Sequence, residues 1–306
     1  MRVVEIIRRP TDVERQRLVA FVDQVSANSG ARALSDHLWL DLNAPDSDRL
    51  IAVTVADPSG ILGLAQISAG NDSASLEVVI RSDVVDPRRV HDDLIETAID
   101  SFRREGGGNL SWWADDVDDS DRLLANRIGL TPSRTLFEMR RPLPTDTHAA
   151  VATRAFVVGQ DDAAWIAVNN RAFADHGEQG GWTADSLAAR ISEKWFDAAG
   201  FRIYESEGRL AAFCWTKLHT DHYPVLGEIY VIAVDPDFHG QGLGKQLTLA
   251  GLDSITLRGV STAMLYVDAD NTAAVGLYDR IGFTIHHERQ AFAGCLTGTD
   301  RSQGTP

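Results

Sequence analysis

A nearly continuous apolar run from residue 228 to residue 234 is typical of a strand that is buried on both faces of a sheet. The Asp235-Pro236 pair that follows predicts the end of the strand, because proline cannot donate a hydrogen bond to a neighbouring strand. Beyond it, Leu243, Leu247 and Ala250 recur at helical spacing. The pattern therefore predicts a buried strand, a short turn and an amphipathic helix.

The turn between this strand and this helix, residues 239–245, has the sequence HGQGLGK. Glycine at the start of a helix leaves backbone N–H groups open to a ligand, and the helix dipole adds partial positive charge there. The turn therefore predicts a cradle for a phosphate or pyrophosphate group. The simpler alternative is a turn before a surface helix with no ligand. The helix is expected to break at Ser254 and to continue its apolar face with Leu257.

Three segments of the first half of the chain recur in its second half. The strand-turn-strand pattern of residues 49–68 returns at 201–218, and Asp86-Pro87 returns as Asp235-Pro236. Arg-Ile-Gly at 127–129 returns at 280–282 with nearly the same separation. These matches favour an internal duplication over chance similarity, which is the alternative for such short segments.

The duplication predicts an α/β protein of two domains, each with a mixed sheet. We expect a degenerate N-terminal domain at residues 1–145 and a catalytic C-terminal domain at 151–298. The proline-rich stretch 141–150 between them is the expected linker, and residues 299–306 are expected to be a disordered tail.

The first half is expected to lack the cradle. Aligned on Asp86-Pro87, the three glycines of the turn fall on residues within His91 to Ile95, whose side chains would block a close backbone approach. The counterpart of Tyr278 is Ala125. We expect this half to be catalytically inactive; a substrate wall or a regulatory ligand site is the alternative role.

Composition narrows the choice of partners. The chain has 306 residues and a formal net charge of −15, which argues against nucleic acid or an anionic membrane surface as the main partner. A local nest of backbone amides can still hold a diphosphate. Only two cysteines occur, without zinc spacing, and no apolar run is long enough to span a membrane. We expect a cytoplasmic protein without a metal, and a monomer.

Two side chains are candidates for acid-base chemistry. Glu228, at the start of the buried strand, can take a proton from an ammonium group directly or through water; a strand-end charge paired with Lys217 is the structural alternative. Tyr278, on the inner face of a helix that Asn271 can cap, is the candidate acid for a departing thiolate. A core tyrosine is the alternative there.

The glycine-rich turn resembles the acyl-CoA signature of the GCN5-related N-acetyltransferase superfamily, in which Gln or Arg precedes Gly-x-Gly by two residues. Gly242 and Gly244 match, whereas His239 replaces the Gln or Arg. The resemblance implies an acetyl-CoA cosubstrate and a tandem acetyltransferase fold. A backbone N–H within residues 232–234 is the expected oxyanion donor.

A closer resemblance covers nearly all of residues 153–298. The segments that carry it are 169–174 (NNRAFA), 176–183 (HGEQGGWT), 213–217 (FCWTK), 227–231 (GEIYV) and 265–267 (LYV). Together they resemble the mycothiol synthase family, a tandem acetyltransferase fold with an inactive first half. The family acetylates the cysteinyl amine of cysteinyl-glucosaminyl-inositol with acetyl-CoA.

This resemblance also implies roles for individual residues. The matching substrate-contact positions are Glu178, Lys217, Glu228 and Tyr266, and, less closely, Asp36 in the first half. The matching acetyl-CoA positions are Ile232, Ala233, Val234, His239, Gly240, Gln241, Gly242, Leu243, Gly244, Lys245, Asn271, Thr272, Ala273, Ala274, Val275 and Gly276. The family's first half can carry a second acetyl-CoA on its own glycine-rich loop, from which this chain departs.

Two other functions stay open at this point. One is an acetyltransferase for a different small-molecule or peptide amine, which has no need of the segment 178–183. The other is a non-catalytic acyl-CoA-binding module, against which Glu228 and Tyr278 argue.

Overall fold

The computed structural model describes residues 2–29, 33–44, 50–70, 73–174, 179–220 and 224–298. Contacts divide the chain into two compact units, residues 1–136 with 288–306, and residues 137–287. This division differs from the expected boundaries, because the last strand of the chain belongs to the first unit and the break precedes the proline-rich stretch. The expected disordered tail, 299–306, lies outside the described residues.

The first unit alternates strands and helices. Its strands are β1 (Val3–Arg8), β2 (Leu50–Asp57), β3 (Gly60–Ala69), β4 (Ala74–Ile80), β5 (Gly107–Asp115), the first part of β6 (Thr131–Pro142) and most of β12 (Thr284–Thr297). Its helices are α1 (Asp12–Ser29), α2 (Asp36–Asn43), α3 (Pro87–Arg104) and α4 (Asp119–Ile128).

The sheet of the first unit runs in the order β1-β2-β3-β4-β5-β12. Neighbours are antiparallel except β4 and β5, which are parallel. One apolar cluster joins the sheet to α3 and α4, and a second joins it to α1 and α2. The mixed sheet with helices on both faces is the predicted α/β class.

The second unit contains the remaining elements. Its strands are the end of β6, β7 (Arg154–Ala155), β8 (Phe201–Ser206), β9 (Arg209–His219), β10 (Leu226–Val234) and β11 (Thr262–Asp268). Its helices are α5 (Asp162–Ala172), α6 (Ala184–Ile191), α7 (Leu243–Leu257) and α8 (Thr272–Ile281), with 3-10 turns at Ala198–Gly200 and Pro236–Phe238.

The sheet of the second unit runs β6-β11-β10-β9-β8-β7. The pairs β7–β8, β8–β9 and β9–β10 are antiparallel, whereas β10 and β11 are parallel. A bulge interrupts the β9–β10 register at Tyr230, between the pairs Ile229–Thr216 and Val231–Trp215. Helices α7 and α8 cover an aliphatic cluster, whereas an aromatic cluster built around Trp165 and Trp215 packs with α5 and α6.

Three helices begin at residues whose types are common at helix starts, and the predicted Asn271 cap is among them. Thr11 and Glu14 exchange the backbone bonds of a capping box at the start of α1. Pro87 occupies the first turn of α3, and Asn271 caps α8 by accepting from the N–H of Ala274. Capping residues can be predicted from sequence because they satisfy backbone donors of their own helix.

Helix α7 corrects one expectation. It runs without a break through Ser254 to Leu257, and the Leu257 side chain is 87% exposed. Leu252 and Ile255 are the residues that continue the buried face. The sequence analysis therefore extended the buried face of α7 too far. A single exposed leucine is common on protein surfaces, and apolar spacing alone does not distinguish it from a buried one.

The proline-rich stretch 141–150 does not hang free as a simple linker. Leu143 donates its N–H to the carbonyl of Ser261, Ala149 donates to the Asp253 carboxylate, and Ala150 donates to Gln246. These bonds hold the stretch against the second unit. Among the described residues, no helix combines the length and the apolar character needed to cross a membrane.

Close packing of α7 on the sheet predicts the effect of a larger residue at Gly251. A Cβ atom there would lie 2.5 Å from Cys214 Sγ and 2.7 Å from Ile229 Cδ1, both in the buried core. We expect Gly251→Ala to lower the free energy of unfolding by about 1–3 kcal/mol, as overpacking usually does. The measurement is urea denaturation followed by tryptophan fluorescence.

The matched control on the same helix is Leu257→Ala, which removes an exposed side chain and should change stability by less than about 0.5 kcal/mol. A Gly251→Ala protein as stable as the wild type would show that α7 can move away from β9 without cost.

Candidate active site

Strands β10 and β11 separate in the middle of the sheet. Their parallel pairing covers only Gly227–Ile229 against Ala263–Leu265, although β10 continues to Val234 and β11 to Asp268. Beyond the pairing, β10 remains bonded to β9. Among the described residues, the parallel ladder between β10 and β11 thus ends before either strand does. The gap is therefore a place for an extended ligand.

The glycine-rich turn follows β10 at this end of the sheet. Gly240 and Gly242 have φ values of +78° and +73°, and a Cβ atom built on either would meet no atom within 4 Å. Gly242 caps α7 without a side-chain hydrogen bond, and the first turn of α7 has no acidic residue. The first amides of the helix are thus open to an anion. The donor set fits a diphosphate, as the sequence predicted.

Buried Asp235 fixes the path of the chain into this turn. Its N–H bonds to the carbonyl of Ala211, and its carboxylate accepts from Asp237 N–H and pairs with Arg171. Burial is the largest single influence and would raise the pKa of this carboxyl, but the hydrogen bonds from Arg171 and the Asp237 N–H, together with the charges of Arg171 and Arg209, outweigh it, so the pKa lies below its usual value. His239 adds a second tie, from its Nε2 to the Val234 carbonyl at 3.1 Å.

Helix α8 follows β11, so that its N-terminus lies at the same edge of the sheet as that of α7. The face of α8 that turns toward α7 brings Leu277 within 3.7 Å of the place where Gly244 would carry a Cβ atom. Tyr278, the next residue, is 7% exposed and packs with Phe283 in the aliphatic cluster. Burial, with a smaller contribution from Cys214, raises the pKa of the Tyr278 phenol above its usual value.

Glu228 lies on β10 just before the strands separate. Its side chain is buried, and its Oε2 lies 2.8 Å from Nε2 of His219. Lys217 faces it directly across the β9–β10 ladder. Lys217 is the neighbour expected if Glu228 were only a paired charge at the end of a strand. His219 is a second neighbour, which the sequence analysis missed. The missed signal was the alternation of β9, which places residues 217 and 219 on one face.

Lys217 is itself enclosed. It is 4% exposed, and its Nζ lies 4.8 Å from the ring centre of Trp195 and 5.3 Å from that of Tyr230. Aromatic faces stabilise a cation at these distances. The bulge places Tyr230 in this position, and Arg190 donates to the Tyr230 hydroxyl. Lys217 and Glu228 thus form a buried pair of opposite charge below the gap.

Tyr266 comes one residue after the last β10–β11 pair and is 42% exposed. Its hydroxyl donates to Oε2 of Glu138 at 3.3 Å, and Arg140 donates to Oε1 of the same carboxylate at 2.5 Å. Glu138, on β6, is a second buried carboxylate that the sequence analysis did not single out. No short-range motif marks it, because β6 reaches β11 only through the fold.

Two predicted acceptor-contact residues remain, Asp36 and Glu178. Asp36 lies in the first turn of α2, in the first unit. Glu178 lies outside the described residues. The chain immediately after it is fixed, because Asn169 donates to the carbonyl of Gln179, and Asn170 bonds both the N–H and the carbonyl of Trp182.

The first unit repeats the strand separation but not the chemistry. Parallel pairing of β4 with β5 covers Ala74–Leu76 against Leu110–Trp112 and then stops. Ser75 is the middle residue of the β4–β5 pairing, as Glu228 is of the β10–β11 pairing. Its partner on β3 is Ser68, which therefore corresponds to Lys217. At this register position the first unit has neither a carboxylate nor a cation; its buried carboxylate on β4, Glu77, lies two residues further along and pairs with Arg289.

The start of α3 corrects our alignment of the halves. Pro87 is the first residue of α3, whereas Pro236 begins a 3-10 turn ahead of α7. The residues from His91 to Ile95 are thus within α3, and the counterpart of the glycine-rich turn is 81–86, which contains no glycine. Asp86 caps α3: its carboxylate Oδ1 accepts a hydrogen bond from the N–H of Arg89 at 3.3 Å. Residues 81–86 thus differ from residues 239–245 in having no glycine, which is a different distinction from the one that the sequence alignment gave.

In the described part of the chain, no group of three or more His, Cys, Asp or Glu side chains is arranged to hold a metal ion.

Comparison with known proteins identifies relatives over most of the chain. A mycothiol acetyltransferase of Streptomyces avermitilis is 38% identical over 294 residues, which is 93% of each chain. A mycothiol acetyltransferase of Acidimicrobium ferrooxidans is 36% identical over 299 residues, covering 94% of this chain and 96% of its own. The profile of the Acetyltransferase (GNAT) family matches residues 165–283.

The fold has relatives among solved structures. A tandem GNAT protein from the clavulanic acid biosynthesis pathway superposes with a TM-score of 0.66 over 98% of this chain and 100% of its own, at 14% identity. At that identity the likeness concerns the fold alone. The predicted tandem GNAT fold is confirmed.

Burial of the Tyr278 phenol predicts a pH dependence of stability. An acid whose folded-state pKa is raised keeps its proton in the folded state while the unfolded chain loses it, so stability falls as pH rises above the unfolded value of about 10. We expect the wild type to lose up to about 1.4 kcal/mol per pH unit more than Tyr278→Phe between pH 10 and 11. Urea denaturation of both proteins at pH 8 and across this range measures the difference.

Equal losses in the two proteins would contradict the burial of the hydroxyl. Tyr204→Phe is the control, because Tyr204 is only partly buried.

Proposed function

The chain belongs to the mycothiol acetyltransferase family, and from that premise we propose that it transfers the acetyl group of acetyl-CoA to the cysteinyl amine of cysteinyl-glucosaminyl-inositol. Within one unit, an open glycine cradle and a gap between parallel strands lie beside the buried carboxylate of Glu228. That combination is the observation that carries the proposal. It supplies an anion site, a channel for an extended cosubstrate and a base.

The cosubstrate would be held by groups on both sides of the gap. In the proposal, the amides of 239–245 bind the diphosphate, the edge of β10 at 232–234 faces the extended arm, and the start of α8 at 271–276 closes the other side. Acetyl-CoA supplies a thioester, an acyl donor whose carbonyl becomes more reactive when an N–H donates to it. An N–H within 232–234 is placed to do so.

The acceptor amine would reach Glu228. An ammonium cannot attack a carbonyl until it has lost a proton, and a buried carboxylate can take that proton directly or through water. Lys217, opposite Glu228, provides a donor for an oxygen of the acceptor. Tyr266, with Glu138 behind it, offers a hydroxyl and a carboxylate to sugar or inositol hydroxyls. We keep Glu178 and Asp36 as further acceptor contacts.

Tyr278 is the proposed acid. Its raised pKa keeps the phenol protonated across the physiological range, so it holds a proton for a leaving thiolate. The ring needs no charge partner while it stays neutral, which agrees with its place among apolar side chains.

The first unit is proposed to be catalytically inactive and to bind no acetyl-CoA. Ser68 and Ser75 stand in place of the charged pair, and the Asp86 carboxylate occupies the position where a diphosphate would approach the helix. Both cysteines are free thiols. This agrees with the reducing cytoplasm as the proposed location of the reaction.

The function is tested by direct turnover. We expect the purified protein to acetylate cysteinyl-glucosaminyl-inositol with acetyl-CoA, and to prefer it over a bare cysteine ester by at least about 100-fold in kcat/KM, since the ester leaves the polar acceptor groups unpaired. Mass spectrometry of the product and thiol release measure it. Equal rates on unrelated amines would indicate a broader acetyltransferase, and binding of acetyl-CoA without any turnover would indicate a binding module.

The control variant is Gly242→Asp, which places a carboxylate in the open cradle and strains a left-handed position. Calorimetry should give one acetyl-CoA per wild-type chain and none for the variant. Two sites per chain would contradict the inactive first unit.

Removal of the base has a separate signature. Glu228→Gln keeps the size of the side chain but cannot accept the ammonium proton, so kcat should fall by roughly 10²- to 10⁴-fold with little change in acetyl-CoA affinity. The defect should shrink at high pH, where more amine is already neutral. A defect independent of pH, measured by kcat from pH 6 to 10, would assign Glu228 to substrate holding instead.

A further inference from the structure

Among the described residues, His219 is the histidine beside Glu228, and the proposed reaction leaves its role open. Nε2 of His219 lies 2.8 Å from Oε2 of Glu228. The two side chains differ in exposure, since that of Glu228 is 8% exposed and that of His219 is 18% exposed. His219 is the last residue of β9, and it is the more exposed of the two side chains.

The reaction creates a need for such a group. Acylation of an ammonium by a thioester breaks two N–H bonds; one proton stays with the released thiol, and the other must reach bulk water. A buried carboxyl that has taken that proton has to lose it before the next turnover. A neighbouring imidazole accepts at one ring nitrogen and donates from the other, which suits proton transfer near neutral pH.

On the basis of the proposed function, we propose that His219 is the relay that returns the Glu228 proton to solvent. The O–H of protonated Glu228 donates to Nε2, a new N–H bond forms there, and the N–H at Nδ1 passes its proton to water. The carboxylate is restored, and exchange with water restores the starting tautomer. No electron transfer and no further reactant are needed. His219 acts through Glu228 and is a positioning residue.

The charged and titratable groups near this pair are few among the described residues. Lys217 faces Glu228 from β9, Tyr230 follows on β10, and Arg190 of α6 bonds the Tyr230 hydroxyl. The β11 residue paired with Glu228 is Met264, which is apolar. Lys217 bears a cation between two aromatic rings, so it does not offer a lone pair to the proton. His219 is the group suited to accept it.

The test compares His219→Ala, His219→Gln and wild type in single-turnover and steady-state acetylation of cysteinyl-glucosaminyl-inositol. We expect each variant to keep its KM values and to lose roughly 10- to 100-fold in kcat at pH 7. This is a smaller loss than removal of the base itself would cause, because His219 acts only after Glu228 has taken the proton. Added imidazole should restore the rate of His219→Ala in proportion to its concentration. The single-turnover rate should change less than kcat, because the first proton still has Glu228 to go to.

His219→Gln separates the relay from a merely structural contact. Glutamine can donate a side-chain N–H to Glu228 but cannot relay a proton. A His219→Gln enzyme with wild-type kcat would overturn the proposal, as would a His219→Ala enzyme whose rate imidazole leaves unchanged. If His219→Ala does not fold, the His219→Gln result alone decides.

The matched control is His148→Ala. His148 makes a similar contact with a carboxylate, Nδ1 to Asp253 at 2.6 Å, but its side chain is 71% exposed and it belongs to no proposed site. Its kcat should equal that of the wild type and should not respond to imidazole. Failure of the wild type to acetylate the substrate would overturn the proposed function itself, whereas wild-type turnover with unaffected His219 variants would overturn only the relay.

Discussion

The separation of β10 from β11 is the constraint on which the second unit depends. Within a sheet, backbone donors and acceptors are normally satisfied by the next strand, and here that supply stops after Ile229 and Leu265. The bulge at Tyr230 turns β10 while β9 keeps its other edge in register. Because both strands are parallel, the helices that follow them start at the same edge; the start of α7 has no side-chain cap, whereas Asn271 caps α8. Lys217 and Glu228 face each other across β9 and β10 just before the separation, so that the buried carboxylate, the gap and the glycine-rich turn all lie along one strand.

The two units show that the separation alone does not make a site. The first unit has the same break in parallel pairing, yet serines replace the charged pair and Asp86 satisfies the start of α3 with its own side chain. A helix whose N-terminus is already capped by a carboxylate has neither the free amides nor the favourable charge for a diphosphate. A few side chains on a common backbone therefore decide which of the two units has the groups for catalysis.

Much of the fold was predictable because its signals are local. The capping box at Thr11, proline at the start of α3 and the glycines before α7 each satisfy or release backbone groups of their own segment. The contacts of Glu228 with His219 and of Tyr266 with Glu138 were not predicted, because they depend on strand register and on a strand brought in from far along the chain. The alignment of the two halves failed around Asp86 for a related reason. The same Asp-Pro pair starts a helix in one half and a 3-10 turn in the other, and only backbone geometry distinguishes these.

The placement of the last strand has a consequence for how the chain is made and how it evolved. Residues 289–297 pair with β5 in the sheet of the first unit, although a ribosome adds them after the whole of the second unit. Until then β5 has an open edge, so the N-terminal part of the first unit emerges first but its sheet is completed only after the second unit has been made. A cut within 141–150 would separate β5 from the strand that pairs with it. The arrangement makes the two units interdependent, because neither can be removed as one continuous piece of chain without interrupting the unit that remains or the β5–β12 pairing.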